Sequence, residues 1–482
     1  MISEWQAVIG LEIHVQLATA SKIFSGAPTA FGAKPNSQAC PVDLGMPGVL
    51  PVLNAEVYPK AIAFGLAIGA TINARSVFDR KNYFYPDLPK GYQITQMDEP
   101  ILVGGTVGIT LKNGSTKIIR VARAHLEEDA GKSLHENFQD ITGIDLNRAG
   151  TPLLEIVSEP EMSSAEEAVS YAKAVHQLVT YLSVSDGNMS EASLRCDANV
   201  SIRKVEETKL GTRTEIKNLN SFKFLERAIE CEIERQIELL RSGEEVKQET
   251  RLYDPDKAET RLMRSKETAT DYRYFPEPDL LPVVIDEAFI NDVRSQMPEL
   301  PTKKFSRYQI ELGLNEQDAS LISGDLDLAN YFERTVAICN DPIQAANWLR
   351  GELLANINRD DVGPTKAPVT PELLAELILK IKDGTISGKT AKAIFSALWH
   401  KETESVVSYI DAKSLQQVSD NSALSPVVDQ IIAENPKQVA QFQAGKTKLL
   451  GFFVGQVMKK TAGTANPKQV NELVSSRLKS VE

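Results

Sequence analysis

The stretch that decides the fold is Val8-Ile9-Gly10-Leu11-Glu12-Ile13-His14-Val15-Gln16-Leu17, near the start of the chain. Apolar residues occupy its odd positions from 9 to 17, and glycine or polar residues occupy the even positions between them. Because successive side chains of a β-strand point to opposite faces, this alternation predicts a strand with one buried and one polar face. Glu12 and His14 then point the same way, as a carboxylate and an imidazole suited to metal coordination or proton transfer. A solvated sheet face without such a role is the alternative interpretation.

Strand and turn signals continue from this stretch to about Ile285. Beyond Pro298 helical patterns take over, as where Thr370 precedes a proline at the first position of an apolar helical repeat. A polar stretch over residues 411–425 then predicts a hinge before a short final module. We therefore expect an α+β protein, with a mostly antiparallel β domain that carries helices, an all-α helical domain and a small helical tail domain.

Length and composition agree with this division and exclude several classes of protein. The chain has 482 residues, which at about 150 residues per domain favours roughly three domains. Hydrophobic residues make up 42% and charged residues 24%, a mixture typical of soluble globular proteins. No window approaches the roughly 18 apolar residues of a membrane span, and the first residues resemble no targeting segment, which predicts a cytoplasmic protein. The four cysteines are far apart and form no CxxC pair, so we expect reduced thiols.

The charge is distributed unevenly along the chain. The formal net charge is −12, yet residues 435–481 carry seven lysines and one arginine against a single glutamate, a local charge of +7. A basic tail on an acidic body is where a polyanion would bind. An ordinary solvated helical surface is the alternative.

Further acidic residues occur in the same strand-rich region. Glu155 lies within the apolar run of residues 152–157, where a charge needs a partner, and three consecutive acids at 127–129 follow His125. Asp197 lies on the polar face of a second alternating segment. If these carboxylates converge with His14, the ligand set is mainly oxygen with one nitrogen, which favours Mg²⁺ or Mn²⁺ over structural zinc. A surface acidic turn is the alternative for residues 127–129.

Two common catalytic motifs are excluded, and one basic segment is a candidate for binding. Gly131-Lys132-Ser133 does not complete a P-loop because residue 126 is leucine, and no GxSxG sequence is present. From residue 79 onward Arg80 and Lys81 alternate with aromatic residues such as Tyr83, a pattern that suits a phosphate and a stacked base. A packed loop explains the same residues equally well.

The motifs together resemble, along the whole chain, the B subunit of the tRNA-dependent aspartyl/glutamyl amidotransferases. The resemblance rests on long stretches, which are Val8–Val15, Phe78–Asp87, His125–Ser133, Leu146–Arg148, Gly150–Pro160, Ser193–Val200, Asp271–Pro278 and, in the tail, Gly451–Lys460. It implies a cradle-like domain over residues 1–292, a helical domain over 293–408 and a basic tRNA-binding tail over 409–482.

The resemblance also implies an activity and partners. In this family of ligases ATP phosphorylates the side-chain carboxylate of Glu carried by tRNA(Gln), or of Asp carried by tRNA(Asn), and ammonia then displaces the phosphate. The ammonia comes from an amidase, the A subunit, and a small C subunit completes the heterotrimer. Which misacylated tRNA this chain serves stays open.

Site residues follow from the motifs by resemblance. Glu12, His14, Glu128 and Glu155 match the family's catalytic and magnesium-binding positions, although the choice between Glu127 and Glu128 stays open. Arg80, Lys81 and Tyr83 are expected at ATP or at the acceptor end of the tRNA. The lysines expected to contact tRNA are Lys446, Lys448, Lys459, Lys460 and Lys468.

The early loop departs from the family pattern. Many relatives bind zinc there through four cysteines, whereas the matching positions here are Ser25, Ala27, Cys40 and Asp43. One thiol does not hold a structural zinc, so we predict that this metal is absent. Two other functions remain as alternatives, a non-catalytic tRNA-binding scaffold and a stand-alone metal-dependent hydrolase.

Overall fold

The computed structural model describes residues 4–134, 141–265, 269–417, 421–461 and 465–480. Contacts between Cα atoms divide the chain into two compact units, Met1–Pro298 and Glu299–Glu482. Among the described helices, none combines the length and the apolar character that crossing a membrane requires.

The first unit is built on β-strands. In chain order they are β1 (Trp5–Gln16), β2 (Thr71–Ile72), β3 (Arg75–Ser76), β4 (Asp79–Asn82), β5 (Tyr92–Thr95), β6 (Leu102–Val103), β7 (Thr106–Thr110), β8 (Thr116–Glu128), β9 (Lys132–Leu134), β10 (Gly143–Asp145), β11 (Pro152–Ser158), β12 (Leu194–Lys204), β13 (Thr214–Lys217), β14 (Glu249–Asp254), β15 (Glu259–Ser265), β16 (Phe275–Pro276) and β17 (Val283–Val284). Its helices are α1 (Val57–Ile68), α2 (Ala165–Tyr181), α3 (Phe222–Ser242), α4 (Ala269–Tyr272) and α5 (Glu287–Gln296).

One large sheet organises this unit. Its strand order is β15-β14-β13-β12-β1-β11-β8-β6-β2, and β7 also pairs with β8. Among the described pairings of this sheet, β13 with β14 is parallel and the others are antiparallel, so the sheet is mixed. A short antiparallel sheet of β16, β4 and β5 lies beside it, since β5 also packs against β8.

The central strand β1 has the two faces that its alternation predicts. Ile9, Leu11, Ile13 and Val15 are almost fully buried, whereas His14 and its neighbours on the other face are half-buried. Helix α2 packs on β1 and helix α3 on β12, so the apolar face lies in the main hydrophobic core. At about 25 cal/mol per Å², burying such side chains contributes about 1.5–3 kcal/mol each. The polar face is thereby held on a rigid platform.

The second unit is helical. Its α-helices are α6 (Pro301–Ile310), α7 (Glu316–Ser323), α8 (Leu326–Cys339), α9 (Pro342–Trp348), α10 (Leu354–Asp360), α11 (Pro371–Lys382), α12 (Gly388–Trp399), α13 (Val406–Ala412), α14 (Asn421–Glu434), α15 (Pro436–Gln443), α16 (Leu450–Lys460) and α17 (Pro467–Ser480). The helix start predicted after Thr370 is confirmed, because the Thr370 hydroxyl caps α11 by accepting a hydrogen bond from the Leu373 amide.

The architecture is therefore mixed α/β, with a large mixed sheet followed by a helical C-terminal region. Within the second unit one hydrophobic cluster extends from Tyr308 to Ile410 and another from Leu424 to Leu478. The expected boundary after residue 292 falls inside α5, and the first unit ends at Pro298. The division into three domains stays a prediction.

Candidate functional site

The polar face of the large sheet carries a row of ionisable side chains on four adjacent strands. Arg195 on β12 is the direct partner of His14 on β1, His14 is the partner of Glu155 on β11, and Glu155 is the partner of His125 on β8. Because partners in an antiparallel pair share a face, the four side chains lie side by side.

Glu127 joins two residues of this row from β8. The His14 Nε2 atom lies 3.3 Å from a Glu155 carboxylate oxygen and 3.8 Å from a Glu127 oxygen. The His125 Nε2 atom lies 3.3 Å from Glu155 and 3.5 Å from Glu127, and the Thr95 hydroxyl donates to Glu127 at 3.1 Å. We call these four residues, His14, His125, Glu127 and Glu155, the acidic cluster.

The protonation of the acidic cluster follows from its burial and its opposed charges. Burial alone would lower the pKa of His125, but Glu155 and Glu127 outweigh burial and raise it to about 9. The same two carboxylates raise the pKa of His14 against burial. Burial would raise the pKa of Glu155, but His125 and His14 hold it well below its ordinary value. The two carboxylates thus favour the protonated form of both imidazoles, and the imidazoles favour the ionised form of Glu155.

The cluster has the donor set of a cation site. Among the described residues, ligand atoms of His14, Glu127 and Glu155 lie within 4.8 Å of one another. Carboxylate oxygens with one imidazole suit Mg²⁺ or Mn²⁺, the ions that accompany nucleotide phosphates. The residues present therefore fit a divalent cation of this type.

A cavity of about 890 Å³ opens above the cluster. Lys81, Tyr83, Tyr272 and Tyr274 line one side of it, and residues of β12 and β13 line another. The ammonium of half-buried Lys81 lies 4.7 Å from the centre of the Tyr272 ring. Burial would lower the pKa of Lys81, but the nearby carboxylates, Glu127 first among them, raise it, so this side chain is a fixed positive charge in the cavity.

Glu12 lies next to the acidic cluster in the same cavity. It is the strand partner of Asp197, and its carboxylate accepts a hydrogen bond of 2.9 Å from the Asn199 amide. Asp197 in turn forms a 2.6 Å ion pair with Lys217. The structure thus places Glu12 two residues before His14 on the same face of β1, in the lining of the same cavity.

Glu128 is not brought to this cluster. It follows Glu127 on β8 and therefore points to the opposite face, where its carboxylate pairs with Lys90 and accepts a hydrogen bond from the Ile94 amide. Both charged groups are buried, with side-chain exposures of 4% for Glu128 and 9% for Lys90. Of the two neighbouring glutamates, Glu127 is the one that faces His14.

The same alternation separates the basic residues of β4. Lys81 and the following Tyr83 line the cavity. Arg80 instead forms a bidentate pair with Glu277 at 2.7 and 2.8 Å and stacks over the Tyr92 ring. Its guanidinium is therefore satisfied by the protein itself.

Sequence reasoning missed His125, Thr95, Arg195 and Lys217 as residues of this cavity. His125 could have been predicted from the sequence, because it lies two positions before Glu127 on one strand and therefore shares its face. The others depend on strand register, since Arg195 meets His14 only when β12 pairs with β1 as it does here.

In the early loop, an ion pair joins Lys22 to Asp43, which occupies one of the positions where many relatives carry zinc-binding cysteines. Asp43, almost fully buried, lies 3.2 Å from the ammonium of Lys22, and it accepts hydrogen bonds from the Ser25 hydroxyl and the Cys40 amide. The Ser25 hydroxyl also accepts from the amide of Ala27. The Lys22 side chain thus neutralises Asp43 here, and the absence of zinc stays a prediction.

The five lysines expected to bind tRNA are all exposed. Lys459 and Lys460 lie at the end of α16, Lys468 lies on α17, and Lys446 and Lys448 precede α16. Of these, Lys460 lies 3.5 Å from Glu434, an exposed pair worth little in water.

Comparisons with known proteins cover nearly the whole chain. A family model described as the GatB/GatE catalytic domain matches residues 7–291, and one described as the GatB domain matches residues 330–478. Three similar curated proteins are each named as the B subunit of aspartyl/glutamyl-tRNA(Asn/Gln) amidotransferase. They come from Thioalkalivibrio sulfidiphilus (58% identical, 98% of this chain and 100% of the relative), Halorhodospira halophila (59%, 98% and 99%) and Pseudomonas aeruginosa (57%, 98% and 99%).

Proposed function

Because this chain belongs to the B-subunit family of the aspartyl/glutamyl-tRNA(Asn/Gln) amidotransferases, we propose that it is the transamidating subunit of such an enzyme. Its reaction has two steps. The side-chain carboxylate of Glu or Asp on tRNA attacks the γ-phosphorus of ATP, which releases ADP and leaves an acyl phosphate. Ammonia then attacks the acyl carbon, the bond to phosphate breaks, and the proton lost by nitrogen leaves with inorganic phosphate.

The observation that carries this proposal is the acidic cluster on the floor of the 890 Å³ cavity. Phosphorylating a carboxylate brings two anions together, so the site must supply positive charge where they meet. A Mg²⁺ ion held by Glu127, Glu155 and His14 would supply that charge and align the phosphate. His125 holds both carboxylates through one nitrogen, which keeps their oxygens turned toward the same point.

The residues around the acidic cluster bind the nucleotide or position the catalytic side chains. Lys81 offers a fixed ammonium to a phosphate, and Tyr83, Tyr272 and Tyr274 offer aromatic faces to a base. Glu12 acts at the edge of the cluster toward β12. Glu128 holds the hairpin of β4 and β5 against β8 through Lys90 and Ile94, and so positions Glu127 and Lys81 without contacting the substrate.

Other parts of the chain serve the substrate and the partners. The tail over residues 409–482 binds the tRNA body through its exposed lysines, and the cradle and helical domains cover residues 1–292 and 293–408. The amidase, or A, subunit supplies the ammonia and the small C subunit completes the heterotrimer. This complex acts in the cytoplasm with ATP and Mg²⁺ and needs no structural zinc in the early loop.

A direct experiment assembles the chain with its A and C subunits and supplies ATP, Mg²⁺, glutamine and misacylated tRNA. Glu155→Gln and His14→Ala should abolish both the tRNA-dependent cleavage of ATP and the amidated product, while glutamine hydrolysis by the amidase partner continues. Glu161→Gln is a matched control, because Glu161 pairs with the exposed Arg120 away from the cavity.

Normal amidation by Glu155→Gln would show that the acidic cluster is structural. Binding of tRNA by the wild-type complex without any cleavage of ATP would instead support a non-catalytic scaffold. Cleavage of ATP that needs no tRNA would point to a stand-alone hydrolase.

A further inference from the structure

Several cations that line the cavity have no role in the function proposed so far, and Arg195 is one of them. Arg195 lines the cavity from β12, directly beside His14 in the pairing of β12 with β1. Its side chain keeps 30% of its surface exposed. Its Nη2 atom lies 3.0 Å from Asp129, while its Nε atom has no acceptor among the described residues. Because Nε lies on the same edge of the guanidinium as Nη2 and is buried, this edge is the anchored one, and a ligand in the cavity would meet the exposed remainder of the side chain.

The anchor itself is rigid. Asp129 is almost fully buried, and the carboxylate oxygen that binds Arg195 also accepts a 3.1 Å hydrogen bond from the Gln16 side chain. Arg148 lies 3.6 Å from the same oxygen and donates to the backbone carbonyls of Ala130 and Gly131. These contacts fix the position of the Asp129 carboxylate next to Arg195. Such a partner restricts the rotamers of Arg195 before any ligand arrives.

The neighbouring cation of β13 is already engaged. Lys217 pairs with Asp197 at 2.6 Å and lies 3.5 Å from Glu215. Arg195 has instead one buried carboxylate, which Gln16 and Arg148 share. Of these two cations, Arg195 has the capacity to bind a further anion.

The sheet places Arg195 at the opposite end of the acidic cluster from Lys81. The order β12-β1-β11-β8 puts Arg195 at one end of the acidic cluster, and the hairpin carrying Lys81 packs against β8 at the other end. Three strand spacings of about 4.8 Å separate β12 from β8, roughly 14 Å in all. Phosphoryl transfer needs donor and acceptor on opposite sides of the transferred group. If the nucleotide phosphates lie on the side of Lys81 and its aromatic neighbours, the acceptor lies on the side of Arg195.

We propose that Arg195, held in place by Asp129, binds the side-chain carboxylate of the aminoacyl group and presents it for phosphorylation. This inference rests on the proposed function and adds the residue that recognises the substrate's charge. A guanidinium fork matches a carboxylate in a bidentate pair, which fixes both oxygens as well as their charge. A neutral amide side chain makes a weaker pair, so the same contact favours release of the amidated product.

The test compares a charged with a neutral side chain on the same tRNA. We would measure the affinity of the assembled complex, without ATP, for Glu-tRNA(Gln) and Gln-tRNA(Gln), and for Asp-tRNA(Asn) and Asn-tRNA(Asn). The two tRNAs of each pair make the same contacts through the tRNA body. The ratio of their two affinities therefore reports the contribution of the amino acid side chain alone. Arg195→Gln should lower the preference for the acidic form by about 10- to 100-fold, the range of a charge-assisted hydrogen-bonded pair. Arg195→Lys, which keeps the charge without the fork, should lose only about 3- to 10-fold.

Arg203→Gln is the matched control, because Arg203 lies on the same strand and binds Gln6 outside the cavity. A preference unchanged within about twofold in Arg195→Gln and Arg195→Lys would overturn the proposal. So would a raised KM for ATP with an unchanged KM for aminoacyl-tRNA, since Arg195 would then bind a phosphate. Failure of the wild-type complex to form amidated tRNA would instead refute the underlying function.

Discussion

At the scale of single residues, two adjacent glutamates have opposite environments. Glu127 faces two histidines in the cavity, and Glu128 faces Lys90 on the other side of β8. Their chemistry is the same, so strand alternation alone assigns one to the site and the other to the support of the site. This difference predicts that their substitutions have different consequences.

We expect Glu127→Gln to lower kcat for amidation at least about 100-fold in protein that remains folded. The amide keeps the shape of the side chain but removes the charge that His14 and His125 face. Steady-state amidation and urea unfolding on the same preparations provide the measurement.

Glu128→Gln should instead destabilise the protein by about 1–3 kcal/mol, because it leaves the buried Lys90 ammonium without its counter-charge. Urea unfolding monitored by circular dichroism measures this loss. The double variant Glu128→Gln, Lys90→Met removes both buried charges and should recover part of the stability. A Glu128→Gln variant with full stability but no activity would contradict the positioning role.

At the scale of elements, the turn that follows β8 depends on a glycine. A Cβ atom at Gly131 would lie 2.9 Å from the carbonyl oxygen of Asp145, 3.0 Å from that of Asp87 and 2.8 Å from a methyl group of Leu146. Two of these neighbours are backbone atoms, which do not move aside cheaply. The turn therefore has room only for glycine two positions after Asp129.

We predict that Gly131→Ala lowers the free energy of unfolding by about 1–3 kcal/mol, the usual cost of overpacking. Displacement of Asp129 should also raise KM for aminoacyl-tRNA, because Arg195 loses its anchor. Gly108→Ala on β7 is the control, since a Cβ atom there meets nothing within 4 Å. Equal stability of the two variants in urea would refute this account of the turn.

Helices α6 and α8 are joined by one acidic residue of α8. Glu333 accepts hydrogen bonds from Lys304 at 2.7 Å and Tyr308 at 2.8 Å, and it pairs with Arg307. Burial would raise the pKa of Glu333, but these three partners lower it below its ordinary value of 4.5. A depressed pKa means that the carboxylate contributes stability above about pH 4.5, which is lost as the pH falls through the folded-state value.

Glu333→Gln should therefore destabilise the protein by about 1 kcal/mol at pH 7, and the difference from wild type should shrink as the pH falls below 4.5. Thermal or urea unfolding of the full chain between about pH 3.5 and 7 measures this. Glu311→Gln, at an exposed position after α6, is the control. A difference that stays constant over this range would exclude the ion pairs as its source.

At the scale of the whole molecule, charge is separated along the chain. The first 434 residues carry a formal charge of −18 and residues 435–481 carry +7. An acidic body repels a nucleic acid and a basic tail attracts it, so binding of tRNA should depend on the tail and on salt.

Replacing Lys446, Lys448, Lys459 and Lys460 with glutamine should weaken tRNA binding and reduce the slope of log affinity against log salt. The reduction should reach up to about 3.6, or about 0.9 for each phosphate that a lysine no longer neutralises. A four-lysine control at the exposed positions Lys209, Lys247, Lys257 and Lys303 has the same change of charge. Filter binding of tRNA from about 50 to 300 mM salt provides both slopes. Equal slopes in the two variants would mean that the tail contributes only general charge.

The sequence by itself determined the family and the character of each region of the chain. The resemblance drawn from the motifs is confirmed by two family models and by full-length relatives near 58% identity. The alternation from residue 9 to 17 determined the two faces of β1, and helical repeats after Pro298 determined the helical region. These are local properties, because side-chain periodicity and capping depend on neighbours within a few positions.

The tertiary structure decided which of the candidate residues meet. The sequence alone placed Glu12, His14 and Glu155 in one site and left the choice between Glu127 and Glu128 open, whereas strand pairing brings His14 and Glu155 together with Glu127 and His125 and turns Glu128 to the other side of β8. It also set Arg195 beside His14 from a strand about 180 residues later in the chain. Register between distant strands depends on packing across the whole sheet, and a shift of one residue would exchange its faces, so no local pattern could specify it.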